Sequence, residues 1–434
     1  MKIVHIIPGS GGTFYCQNCM RDNELIRALR DRGHDVIMVP MYLPLNVDVD
    51  GLMGDTPVFY GAINVYLKEK LPFYRHAPEW MERLLDSESM LQFAAKKAGS
   101  TRASGLEEMT ISMLLGEEGR QASELEHLIE FLNRHVKPDV VHLSNALLLG
   151  LARRLKQDVG AGVVCSLQDE NEWIDPMQPS YQEQVWDLMA ERAHDVDAFI
   201  AASHYYAEKS IRQMRLPAEK VHVVYGGICF DGYEQATLDL RPPAIGYLCR
   251  MSEYFGLGLV TDAFILLKQD ARFKDLKFYA TGGYTDDDKP FVDNMKKKLH
   301  RAGLLDDVEF WPEFDKPHRI QFLKKLSLLS VPVLVGEAFG AYQVEALAAG
   351  VPIVQPNVGG YREFIEQTSG GIIYEPNDSE HLANAISSLL LDPEKLRKLG
   401  RDGRNVVLER FSMRQMAEAI TRVYAALPAD RRGD

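Results

Sequence analysis

Along the chain, short runs of β-branched and apolar residues alternate with longer stretches in which apolar positions recur at helical spacing. In the first half the runs at 3–7, 36–41, 140–143, 163–167, 198–202 and 221–225 predict buried strands. The second half repeats the pattern at 245–249, 276–280, 308–311, 328–335, 353–355 and 371–374. These runs are continuously apolar, so both faces of each sheet are covered by helices, the doubly wound parallel arrangement of the α/β class.

Between the halves stands Asp239-Leu-Arg-Pro-Pro243, a proline-rich break directly before a new strand, and it predicts a domain boundary. Two Rossmann-like units follow from this, spanning 1–240 and 244–410, with a helical insertion at about 46–135 in the first and a closing helix at 411–428. A length of 434 residues accords with two cores, since a single core stops growing beyond roughly 250–300 residues. Ligands of such sheets collect beyond the carboxyl ends of the strands, so the expected site is a cleft onto which both units face.

Composition narrows the function classes. With 49 Lys and Arg against 62 Asp and Glu, the net charge of -13 provides no global attraction for nucleic acid or an anionic membrane. Five cysteines do not frame a disulfide scaffold, and the amino terminus has no basic region followed by a long apolar stretch, which points to a reducing cytoplasm. No uncharged apolar run is long enough for a membrane helix. The apolar stretch 80–115 leaves room for peripheral contact at the inner membrane face, although the buried face of ordinary helices accounts for it better.

Three places carry candidate chemistry. Pro8-Gly-Ser-Gly-Gly-Thr13 follows the first strand and precedes a helix around 23–32; backbone N–H groups there, freed by Gly11 and Gly12, can approach an anion. A tight strand-to-helix turn explains the same glycines nearly as well. Gly336-Glu-Ala-Phe-Gly-Ala-Tyr-Gln-Val-Glu345 follows the 328–335 run and puts Glu337 at a strand's carboxyl end. Phe339, Gly340 and Ala341 then open a helix, with Glu345 inside it. Two carboxylates in an apolar context are costly without partners, and vicinal hydroxyls are suitable ones. Arg250 ends the third place, Gly246-Tyr-Leu-Cys-Arg, where a planar cation suits phosphate. Cys16-x-x-Cys19 lacks the second ligand pair of a zinc site and reads as two packed cysteines, and Asp286-Asp287-Asp288 reads as a solvated loop.

Glu337, seven intervening residues, Glu345 and the trailing Ala-Ala-Gly-Val-Pro352 resemble the signature of retaining glycosyltransferase family 4, which has the GT-B fold. The resemblance extends through the glycine loop, Gly33-His-Asp-Val36, Pro138-Asp-Val-Val-His142, Gly359-Gly-Tyr-Arg-Glu363 and the end of the chain at Phe411-Ser412. It implies a metal-independent hexosyltransferase with no cofactor, using a nucleoside diphosphate sugar and a hydroxyl acceptor that is a carbohydrate, a lipid-linked glycan or a small molecule. On the matching positions Arg250 would bind the donor diphosphate. Glu345 would hold the ribose, while Glu337 with the backbone of Phe339, Gly340 and Ala341 would hold the sugar. The last helix would cross back to the first domain.

Two positions depart from the family. Where it usually has a lysine five residues after the arginine, Phe255 stands. Where members place a histidine near the anomeric centre, Gln168 stands, followed by Asp169, Glu170 and Asn171 as candidate acceptor-side residues. These departures keep two alternatives open: a nucleotide-sugar binding protein without transfer, and a sugar-nucleotide epimerase on the same fold.

Overall fold

The computed structural model describes residues 1–8, 14–41, 105–238 and 241–428. Two parallel six-stranded sheets are present among them. The first contains β1 (Lys2–Ile7), β2 (Asp35–Pro40), β3 (Val140–Leu143), β4 (Gly162–Leu167), β5 (Ala198–Ala201) and β6 (Val221–Val223), in the order β2-β1-β3-β4-β5-β6. The second contains β7 (Ala244–Leu248), β8 (Lys277–Thr281), β9 (Val308–Phe310), β10 (Leu328–Leu329), β11 (Ile353–Pro356) and β12 (Gly371–Tyr374), in the order β12-β11-β10-β7-β8-β9. Each of the twelve apolar runs therefore contains a strand. Strands β3, β4, β5, β7 and β11 are buried along their whole length, as a sheet covered on both faces requires.

One strand is much shorter than its run. The expected 328–335 strand stops at Leu329. Pro332 has no N–H to give a ladder, the Val331 N–H goes to the Gln355 side chain at 3.1 Å, and Val333 N–H turns back to Val331 O. The chain thus leaves the sheet early and carries Glu337 on irregular backbone.

By their contacts the residues fall into two compact units, one of residues 1–12, 18–224 and 416–434, the other of Thr13–Gln17 and Tyr225–Gln415. The division comes at Val224, upstream of the proline-rich break, because the intervening stretch is tied to the second unit. Ile228 N–H donates to Phe411 O at 3.1 Å and Ala236 N–H to Ala349 O at 2.7 Å. Of the helical insertion, the described part holds helices at Glu107–Leu115 and Ala122–Phe131, and the remainder lies outside the described residues. Met113 and Leu114 in the first of these are buried, so this end of the apolar 80–115 stretch faces protein. No described helix is long and apolar enough to cross a membrane.

Inside the first unit His142 on β3 is buried between Tyr424 Oη, 2.6 Å from Nδ1, and Ser166 Oγ, 2.8 Å from Nε2. Burial, aided by the nearby His5 and Arg21, holds its pKa well below the usual 6.5. The unfolded chain takes up this proton first, so the stability from neutral His142 is complete above about pH 6.5 and is lost as pH falls below that value. Urea unfolding should show no loss from this group between pH 8 and about 6.5 and, below that, a loss approaching about 1.4 kcal/mol per pH unit from this one proton. His142→Asn should remove that slope, and an unchanged profile would reject the assignment.

Candidate functional site

In the second sheet the chain runs one way from β7 through β8 to β9 and the other way from β10 through β11 to β12. The order therefore reverses between the adjacent strands β7 and β10, and such a reversal opens a crevice at the carboxyl ends. Arg250 follows β7 and Glu337 follows β10, so the fold alone brings these two segments to the crevice.

Arg250 is buried, and its Nε donates to Asp288 at 2.8 Å, with Nη2 3.4 Å from Thr285 Oγ1. Thr285 also gives Asp288 its N–H at 3.1 Å and its hydroxyl at 2.8 Å. Asp288 is thus a buried anchor for the guanidinium, which corrects the reading of 286–288 as a solvated loop. Sequence distance explains the difference: Arg250 and Asp288 are 38 positions apart, so local spacing hides the pair.

Glu345 lies in the Ala341–Ala348 helix and is buried. Tyr15 donates to its Oε1 at 2.8 Å; Tyr233 at 2.6 Å and Arg319 Nε at 2.8 Å donate to Oε2. Arg319 is itself buried, its Nη1 donates to Phe314 O at 2.8 Å, and its guanidinium lies 5.4 Å from the Tyr15 ring centroid. Burial lowers the Arg319 pKa, but the Glu345 carboxylate outweighs it and the net shift is upward. Burial first, and then Glu345, push the Tyr15 phenol well up, so it stays a hydrogen-bond donor.

Glu337 is buried and accepts the Tyr342 hydroxyl at Oε1 and Gln17 Nε2 at Oε2, the latter at 3.2 Å. Tyr342 Oη is 2.8 Å from Tyr361 Oη. Its loop is braced by the Gly359-Gly360 turn, where Gly360 N–H donates to Glu337 O at 2.9 Å. The two backbones are so close that a Cβ on Gly336 would sit 2.5 Å from Gly359 N, and one on Gly359 would sit 2.6 Å from Glu337 N. Gly340 opens the helix at φ +80°, and a Cβ there would lie 2.6 Å from Glu337 Oε1. The Phe339 ring packs against Phe364 and Phe411 at centroid distances of 5.5 and 6.1 Å, and its carbonyl accepts from Gln343 Nε2 at 2.6 Å. Ala341 N–H donates to Gln17 Oε1 at 2.8 Å.

The structure therefore brings Arg250, Glu337, Phe339, Gly340, Ala341 and Glu345 to one end of the second sheet. Sequence reasoning missed Tyr15, Gln17, Tyr233, Asp288 and Arg319. A carboxylate at position 345 amid apolar neighbours signals a buried cation, but not which one. Phe255 is buried against Tyr254, with ring centroids 5.2 Å apart, where the family resemblance leads one to expect a lysine.

The remaining predicted residues belong to the first unit. Gln168 follows β4, is buried and donates through Nε2 to Ser144 O. Glu170 is buried and accepts the N–H of Ala146 at 2.9 Å, the N–H of Gln168 at 3.0 Å and the Tyr206 hydroxyl at 2.7 Å. These contacts make it a clamp on the loop after β4 more than an open acceptor contact. Asp169 stands at φ 54° before the short Glu170–Ile174 helix, and Asn171 Nδ2 donates to Asp175 at 3.2 Å. Gly11 and Gly12 lie outside the described residues. Cys16 and Cys19 are disulfide-bonded, in place of the packed thiols expected, so this pair no longer argues for a reducing compartment.

Comparison with known proteins decides the family. The family described as glycosyl transferases group 1 matches residues 234–406, and the glycosyl transferase 4-like domain matches residues 22–227, most of the chain between them. The chain belongs to the group 1, family 4 glycosyltransferases. Among relatives, it is 24% identical over 284 residues to the α-maltose-1-phosphate synthase of Mycolicibacterium smegmatis, covering 59% of this chain and 72% of that protein. It is 24% identical over 244 residues to the D-inositol 3-phosphate glycosyltransferase of Xylanimonas cellulosilytica, covering 53% of this chain and 57% of that protein. The chain thus spans little more than half of the latter's length. Its fold is that of GT-B glycosyltransferases. Anabaena HepE in complex with UDP matches with a TM-score of 0.69 at 17% identity, over 98% of this chain and 100% of that one. The sucrose-phosphate synthase of Thermosynechococcus elongatus matches with a TM-score of 0.69 at 17% identity, over 98% of each chain.

Proposed function

We propose that this glycosyltransferase moves a hexose from a nucleoside diphosphate sugar to a hydroxyl acceptor, with retention at the anomeric carbon and without a metal. The observation that carries the reading is the gathering of one buried guanidinium, Arg250, and two buried carboxylates, Glu337 and Glu345, at the switch point of the second sheet. The HepE structures holding UDP and UDP-glucose support the donor class. In this reading Glu345 accepts hydroxyls of the nucleotide ribose and Glu337 accepts hydroxyls of the sugar. Arg250 meets the diphosphate.

The chemistry of this reading is the one the family resemblance implies. The bond from the anomeric carbon to the phosphate oxygen breaks with its electron pair on the phosphate, where the Arg250 charge stabilises it. The acceptor oxygen bonds to the same face of the carbon, and its proton passes to the departing phosphate. No proton step is routed through Gln168, since a carboxamide neither ionises nor takes up a proton near neutral pH. The buried Phe255 favours a second reading, a protein that binds nucleotide sugars without transferring them.

A donor panel separates the two. UDP-, GDP- and ADP-glucose and GDP-mannose would be scored by thermal shift, hydrolysis and transfer to phosphorylated polyols and oligosaccharides. A raised melting point with product formation supports transfer; a raised melting point without turnover for any acceptor supports binding alone.

A further inference from the structure

Three residues within a stretch of four, Phe14, Tyr15 and Gln17, meet the three groups assigned to the donor. Phe14 forms an antiparallel bridge with Gly283, and Tyr15 N–H donates to Gly282 O at 2.7 Å, which lays residues 14–16 across the carboxyl end of β8, directly ahead of the helix Gln17–Asp31. From this short extended piece the Phe14 ring stands 5.0 Å from the Arg250 guanidinium. Tyr15 gives its hydroxyl to Glu345 Oε1 at 2.8 Å. Gln17 donates Nε2 to Glu337 Oε2 at 3.2 Å and accepts the Ala341 N–H on Oε1 at 2.8 Å.

The polarity of these contacts matches that of the ligand. A ribose hydroxyl donates to a carboxylate, and so does a phenol. A sugar diol presents O–H donors to one group and oxygen acceptors to another, and a carboxamide does both at once. An amide N–H has one hydrogen, so Ala341 cannot serve Gln17 and a sugar oxygen together.

Resting on the donor assignment proposed above, we infer that residues 14–17 are an intramolecular occupant of the donor site, imitating the nucleotide sugar and leaving when it binds. Tyr15 takes the place of the ribose and Gln17 that of the hexose. The donor then binds only the fraction of molecules in which the segment has withdrawn, and its apparent affinity is weakened by that fraction. Simple loop anchoring would need the backbone bridge to Gly283 and Gly282 but not these side-chain pairings.

The test is titration calorimetry of the full chain with UDP, GDP and ADP and their glucose esters, comparing the native protein with the double variant Tyr15→Phe, Gln17→Ala. The variant should bind the accepted nucleotide sugar at least tenfold more tightly, with its urea midpoint showing that it remains folded. In the native protein, hydrogen exchange at residues 15–17 should rise when that nucleotide sugar is added. Equal or weaker binding by the folded variant overturns the inference while leaving the donor site in place. Exchange at 15–17 that falls or stays constant on donor addition overturns it too, whether or not the variant folds. If neither protein binds any of these nucleotides, the donor assignment fails and the inference falls with it.

Discussion

Replacing Arg250 with alanine should lower kcat for sugar transfer by about 10²–10³-fold, the usual cost of removing one preorganised group that meets charge as it develops. On the proposed assignment the effect belongs to kcat, because a diphosphate beside Arg250 would gain charge as the bond to the sugar breaks. Asp288 must be considered alongside it. Its carboxylate keeps the Thr285 N–H and hydroxyl when the guanidinium is gone, so part of its buried charge remains hydrogen-bonded. Steady-state kinetics would be read together with urea unfolding of each variant. A folded Arg250→Ala enzyme with native kcat would show that no phosphate departs beside this residue.

Arg319→Met should be the most destabilising single change at the site, by about 3–5 kcal/mol, because it strips the cation from a buried carboxylate. Glu345 would keep only the tyrosine hydroxyls, which are neutral donors. Replacing both partners, as Arg319→Met with Glu345→Leu, should recover most of that stability while nucleotide binding is lost, since an apolar pair of similar volume leaves no charge stranded. Urea unfolding and calorimetry read these outcomes separately. If the double variant is as unstable as the single one, the pair's contribution is packing and not charge compensation.

The architecture was legible because parallel strands covered on both faces must be written in uninterrupted β-branched runs, and each of the twelve runs holds a strand. The overlong reading at 328–335 came from apolarity alone; Val331, Pro332 and Val333 are buried without belonging to the ladder. Burial and strand pairing are separate properties, and only the second fails at a proline. Within the site, Glu337, Glu345 and Arg250 were legible from local spacing and from the family resemblance. Their partners were not. Tyr15 and Glu345 are 330 positions apart, and nothing near Arg319 in sequence distinguishes it from the other 48 of the 49 basic residues. Asp288 shows the opposite error: a run of aspartates looks uniformly solvated although one member turns inward.

The contact of Gly336 with Gly359 has a practical consequence for engineering. Because the two backbones touch with no room for a methyl group on either, the loops bearing Glu337 and Tyr361 can be exchanged between enzymes only as one cassette. A chimera that imports one loop with its own glycine but retains a bulkier residue in the other would push the Glu337 carboxylate out of register, however well the imported residues match their new surroundings.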